Sequence, residues 1–205
     1  MKVLMINGSP RENGNTSIAL NEIKNSLSAR GIEVEIICIG NKAIRGCMAC
    51  GGCAKTGKCA INDGVNTVAE KFKECDGLII GSPVYFASAA GTLVSFLDRL
   101  FASTKFDKRM KVGACVCVAR RGGITATFDQ LNKYFTISGM PIVSSVYWNG
   151  VHGAAIGESR LDDEGLSTMR ALGNNMAFLI KAISEYREKN GLPEQEATIK
   201  TNFIR

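Results

Sequence analysis

Four of the eight cysteines crowd into residues 47 to 59, where their spacing points to inorganic chemistry. Cys47, Cys50, Cys53 and Cys59 read C-x2-C-x2-C-x5-C. Two consecutive two-residue spacers let three thiolates surround one corner of a small cluster, and the fourth closes it after a turn bearing Gly57. Zinc ribbons place their cysteine pairs further apart, which disfavours zinc. A reducing compartment disfavours disulfides. Thiolates packed this tightly repel one another unless a metal centre neutralises them or they stay protonated at raised pKa. Cys38, Cys75, Cys115 and Cys117 fall in or beside apolar runs and read as core or near-core thiols.

A second chemistry is suggested by Asn7 to Ser17, which leaves an apolar run and opens directly onto a helical pattern. Ser9, Asn13, Asn15, Thr16 and Ser17 offer hydroxyl and amide donors, and a helix start adds unpaired backbone N–H groups. Together they suit a single phosphate. The loop is not a Walker motif, because Gly8 and Gly14 are misplaced and no Lys-Ser/Thr pair follows, nor is it G-x-G-x-x-G. The competing reading is a polar turn with a capped helix. Further on, Pro83-Val84-Tyr85-Phe86 follows another apolar run, with two aromatics placed where they can flank a flat ring. Arg120-Arg121-Gly122-Gly123 follows a third, where glycines permit close backbone approach and arginines can meet a carbonyl or a phosphate. The single histidine, His152, falls in a loop near the same predicted edge, as a structural or a functional residue. No carboxylate pair or serine triad is evident.

These segments need a scaffold that brings them together, and the hydrophobic periodicity supplies one. Short apolar runs at Val3–Ile6, Ile32–Ile39, Leu78–Ile80, Lys111–Val118 and Pro141–Val146 read as five strands. Between them lie amphipathic stretches: Ser17 to Arg30, a helix capped by Asp63 and running to about Cys75, one after Ser88, Thr125 to about Ser138, and a last long helix carrying Leu166 to Ile183 along one stripe. Gly191 and Pro193 stop it. Strands alternating with helices predict an α/β three-layer sandwich, a five-stranded parallel sheet with helices on both faces. Five strands fit the order 2-1-3-4-5, which binds ligands beyond the carboxyl ends of its strands. The predicted organisation is a single domain over residues 1–205, with a cysteine-rich insertion at about 40–62.

Composition agrees with a globular fold: 45% hydrophobic, 21% charged and 4 prolines. The 25 basic residues exceed the 19 acidic ones by six, and they are scattered apart from Lys105, Lys108, Arg109 and Lys111. That cluster reads as a solvated turn, so no nucleic-acid partner is expected. The apolar stretch after Met1-Lys2 is too short for a signal-peptide core and no run spans a bilayer, which predicts a cytoplasmic protein with no membrane partner.

The loop residues carry a resemblance. Gly8-Ser9-Pro10-Arg11-x-x-Gly14-Asn15-Thr16, Gly81-Ser82-Pro83-Val84-Tyr85-Phe86 and Asp98-Arg99 are similar to NADPH-dependent FMN reductases of the flavodoxin-like fold. Tyr147 to Gly153 and Glu164-Gly165-Leu166 resemble the same superfamily near its C-terminal end. The resemblance spans essentially the whole chain. It implies FMN, with the phosphate on Ser9, Arg11, Asn13, Asn15, Thr16 and Ser17, and the ring against residues 83 to 86 and 120 to 123, near His152. The cysteine spacing is similar to the compact motif of the iron–sulfur flavoproteins, a branch of this fold, and implies a [4Fe–4S] cluster. Ala60 stands where ferredoxin motifs place proline.

The expected function is an FMN oxidoreductase passing electrons between a two-electron and a one-electron partner, with NAD(P)H or a ferredoxin as redox partner. The alternatives are an NAD(P)H-dependent FMN or quinone reductase with a purely structural cysteine loop, and an electron carrier with no small-molecule substrate. Related reductases imply a homodimer or homotetramer.

Overall fold

The computed structural model describes residues 1–197, 199 and 201. Along the chain run β1 (Lys2–Asn7), α1 (Asn15–Ser28), β2 (Glu33–Cys38), the short α2 (Gly52–Thr56), α3 (Val65–Glu74), β3 (Gly77–Tyr85), the stub β4 (Ser88–Ala89), α4 (Gly91–Ser103), β5 (Val112–Ala119), α5 (Ile124–Thr136), β6 (Gly150–His152) and α6 (Asp163–Asn190). The sheet order is β2-β1-β3-β5-β6, parallel throughout, with β4 antiparallel on the end of β3. With β4 set aside, this is the predicted 2-1-3-4-5 arrangement.

Strand alternation divides the core into two layers. Val3 and Met5 face Leu20, Ile23 and Leu27 of α1 and Met169, Leu172 and Met176 of α6. Leu4 and Ile6 face the other way, into a layer with Phe72, Phe96, Leu97, Leu131 and Phe135 from α3, α4 and α5. β5 is buried at every position because helices cover it on both sides, whereas the edge strand β2 is only half-buried. Each fully buried leucine or phenylalanine here contributes about 1.5–3 kcal/mol. Cys75, Cys115 and Cys117 belong to this core, and burial pushes the Cys75 thiol up to about 11. Cys38, at the end of β2, is only partly buried. No helix of the described residues is long and apolar enough to cross a membrane.

Three expectations are corrected. Pro141–Val146 is not a strand. Gly113 N–H donates to Pro141 O (2.8 Å) and Val143 N–H to Gly113 O (2.9 Å), giving one isolated bridge at Ile142. The chain then leaves the sheet through a turn in which Ser145 Oγ bonds Asn149 Oδ1 (2.7 Å), and pairing with β5 resumes only at β6. Gly64, not Asp63, holds the N-cap position of α3, with φ 98°; the Asp63 carboxylate lies one residue earlier, pairs with Arg99 and also accepts the main-chain N–H of Val65 in the first turn. The helix after Ser88 begins only at Gly91, because Ser88 and Ala89 pair back on Tyr85 and Val84.

Candidate functional site

The parallel strands β1, β3, β5 and β6 end on one edge, and the loops leaving them form a continuous rim. Asn7, fully buried at the end of β1, organises the first loop: its Oδ1 accepts from Ser9 N (2.9 Å) and its Nδ2 donates to Ser17 Oγ (2.9 Å). Ser9 Oγ accepts from Arg11 N (3.2 Å), and Ser17 Oγ donates to Glu12 O. Gly14 caps α1 without a side-chain acceptor, and the first turn holds no acidic residue. The N–H groups of Asn15 and Thr16 therefore have no acceptor among the described residues. Arg11 and Asn13 are exposed beside them, and Thr16 is buried. Free donors at the positive end of a helix, next to an arginine, attract an anion.

The side chain of Asn15 is engaged within the protein. Its Nδ2 donates to Ala155 O (2.8 Å) and its Oδ1 accepts from Gly157 N (2.9 Å), which ties the segment after β6 to the first loop. Glu158 completes that segment by accepting from Ala154 N (2.6 Å) and Ala155 N (2.8 Å). Those backbone donors hold its carboxyl below the usual range.

At the end of β3, Pro83 and Val84 are half-buried while Tyr85 and Phe86 project from the rim. Phe86 and Ala87 both have positive φ (51° and 57°), a backbone region that costs a non-glycine residue about 1–3 kcal/mol. Gln130 Oε1 holds the following turn, accepting from Ser88 Oγ and Ala89 N (both 2.9 Å). Arg120, Arg121 and Gly122 are exposed at the end of β5. Gly123 (φ 93°) meets the β3 loop: a Cβ there would lie 2.8 Å from Ala87 Cα, so only glycine lets the two loops touch. His152 ends β6 with an exposed ring, and Asp162 Oδ2 accepts its main-chain N–H (2.6 Å) with the ring Nδ1 3.5 Å away. Beside it opens a cleft of about 390 Å³ lined by Arg121, Gly123, Trp148, His152 and Glu164.

The four cysteines of the predicted centre line one cavity of about 250 Å³. Gly51 (φ 69°) and Gly57 (φ 71°) bracket α2, which carries Cys53, and Cys47 and Cys50 precede it on the exposed side. Asn66 clasps the Cys59 backbone, accepting its N–H (2.8 Å) and donating to its carbonyl (2.9 Å). The wall opposite is the last turn of α4, with Arg99, Ala102 and Ser103. Arg99 is buried, and its guanidinium donates to both Asp63 carboxylate oxygens (2.5 and 2.7 Å) and to the carbonyls of Arg45 (2.9 Å) and Ile61 (3.2 Å). Its Nε and Nη2 each lie 3.3 Å from Cys59 Sγ. The guanidinium holds the Asp63 carboxyl below the usual carboxylate range, and Asp63 in turn raises Arg99. No three His, Cys, Asp or Glu side chains of the described residues converge on a point that one ion would occupy.

Sequence reasoning missed Asn7, Asn66, Gln130 and Asp162, and it gave Arg99 no structural role. One signal was available: Arg99 interrupts an apolar helix face between Phe96 and Ser103, where a charge is tolerated only with partners.

Comparison with known proteins gives this arrangement a context. Residues 1–155 match the family model described as NADPH-dependent FMN reductase. An iron–sulfur flavoprotein of Methanocaldococcus jannaschii is 38% identical over 193 residues, covering 90% of this chain and all of the relative. Among solved structures, RosB with bound 8-demethyl-8-formylriboflavin-5'-phosphate superposes with a TM-score of 0.72 at 17% identity, covering 100% of this chain and 94% of its own. A flavodoxin from the domain Archaea superposes with a TM-score of 0.60 at 17% identity, covering 88% and 99%. Both structures share the flavodoxin-like fold of this chain.

Proposed function

This chain belongs to the NADPH-dependent FMN reductase family, and we propose that, as an FMN-dependent oxidoreductase, it also carries a [4Fe–4S] cluster on Cys47, Cys50, Cys53 and Cys59. Bound FMN supplies hydride and single-electron chemistry of its own, so the protein's part is position and charge. In this reading the FMN phosphate sits on the free N–H groups of Asn15 and Thr16, with Ser9, Arg11, Asn13 and Ser17 shaping the loop around it. The ring lies against Pro83, Val84, Tyr85 and Phe86 on one side and Arg120 to Gly123 on the other, with His152 at the rim. Electrons enter from NAD(P)H and leave singly to a carrier such as a ferredoxin. Phe86, Val146, Tyr147 and Trp148 expose apolar surface around this edge, which supports a homodimer or homotetramer.

One observation carries the cluster reading: the four cysteines stand around a shared volume. A cubane takes each thiolate on a different iron, so its ligands encircle a space. A lone zinc needs all four sulfurs within about 2.3 Å of one point. The M. jannaschii relative, named an iron–sulfur flavoprotein, supports the same assignment.

Anaerobic purification tests it. Brown protein with about four irons and four sulfides per chain is expected. Cys50→Ser should lower iron content and leave FMN bound, because the phosphate loop belongs to a different strand end. Yellow, iron-free protein after reconstitution overturns the cluster and leaves a plain flavin reductase. Anaerobic bleaching of the flavin by NADH or NADPH tests the donor. Failure of both, with reduction by a low-potential ferredoxin, makes the protein a carrier.

A further inference from the structure

Ser103 closes α4 on the wall of the cysteine cavity, and its Oγ is the one buried side-chain polar atom of the described residues without a hydrogen-bond partner. A helical serine ordinarily bonds the carbonyl one turn back, but here that bond is not made. Leaving a buried hydroxyl unpaired costs about 1–3 kcal/mol, which is why such groups are rare and call for an acceptor. The neighbouring protein groups supply none. Four residues earlier on the same helix face, Arg99 already directs two N–H groups at Cys59 Sγ.

We propose that Ser103 and Arg99 form a donor pair that sets the reduction potential of the cluster, with Ser103 Oγ–H donating to a cluster sulfur and the Arg99 fork donating to the Cys59 thiolate. The inference rests on the cluster reading above. Reduction adds one negative charge to the cluster. Donors aimed at its sulfurs stabilise that added charge, so they raise the potential. Arg99 also braces the loop through Asp63, Arg45 and Ile61, whereas Ser103 touches nothing else polar. Ser103 is therefore the residue whose removal isolates the electronic effect from the structural one.

The test is a mediated dithionite titration of anaerobic holoprotein, read by the cluster's electron paramagnetic resonance signal, with iron and labile sulfide measured on the same samples. Ser103→Ala should keep its iron and FMN. At a fixed poise its reduced-to-oxidised ratio should fall about tenfold, a shift of about 59 mV toward more negative values for one electron. Ser103→Thr, which keeps the hydroxyl, should titrate close to the parent. Arg99→Lys, which keeps the charge beside Asp63 and loses the fork, should also shift negative. A Ser103→Ala protein with full iron content and an unchanged potential overturns the donor role and leaves the cluster standing. A parent protein that takes up no iron overturns the cluster reading itself.

Discussion

Gly40 is pressed against the backbone of Ser9 so closely that a Cβ at position 40 would stand 2.2 Å from the Ser9 carbonyl carbon. The exit from β2, which begins the cysteine-bearing segment, is thus seated directly on the loop assigned to the phosphate. Asn41 adds a side-chain bond to Glu12 in the same loop (3.1 Å). The segments proposed for the two cofactors share a backbone contact at their origins. Gly40→Ala should therefore displace the Ser9 loop, lowering stability by about 1–3 kcal/mol and weakening FMN retention in the fraction that folds. Chemical denaturation and flavin content after gel filtration check it; unchanged flavin affinity would uncouple the two segments.

Thr16 lies at the first turn of α1 with a free N–H and a buried side chain. A carboxylate there would face a phosphate bound at the proposed site through low-dielectric surroundings. Thr16→Glu should cut FMN affinity by at least about tenfold, equivalent to about 1.4 kcal/mol, while leaving the far-ultraviolet circular dichroism unchanged. Fluorescence titration of flavin-stripped protein measures this directly. Full affinity in a folded variant would move the phosphate elsewhere.

Buried Arg99 pairs with half-buried Asp63, their side chains 1% and 15% exposed. Removing one charge strands the other, so Asp63→Asn should destabilise the fold by about 3–5 kcal/mol. The acid dependence follows from the sign of the shift. Hydrogen bonds from Arg99 lower the folded pKa of Asp63, so the unfolded chain binds the proton more readily. The pair's contribution is complete above the unfolded carboxylate pKa and is lost as pH falls through the folded one. Between neutral pH and the acid limb, the parent should lose more stability than Asp63→Asn. Parallel slopes in urea denaturation across that range would contradict the pairing.

Much of this molecule was legible from residue patterns because the patterns obey local physics. The unbroken apolar run of Val3 to Ile6 and the buried run of β5 follow from a sheet covered on both faces, and the closely spaced cysteines line one cavity. What was not legible depends on partners distant in sequence. Asp63 has the composition and position of a helix cap, yet Gly64 takes the cap position and Arg99, 36 residues later, engages the carboxylate. Asn15 reads as a donor to a ligand, and its side-chain amide is engaged with Ala155 and Gly157, 140 and 142 residues downstream. Pro141 to Val146 has strand composition, and its divergence from the sheet is set by the turn between Ser145 and buried Asn149.

The way the sheet ends on each side governs how the chain behaves when crowded. At one margin β2 sets Glu33 and Glu35 beside Lys2, with Lys71 also paired to Glu35. A strand approaching from outside would have to strip water from these ion pairs. At the other margin β6 runs for only three residues, Gly150 to His152, after the chain has swung away through residues 144 to 149. So brief a ladder exposes too few unpaired amides to template a foreign strand. Neither margin of the sheet therefore offers a long, uncharged run of free amides to the edge of another molecule's sheet.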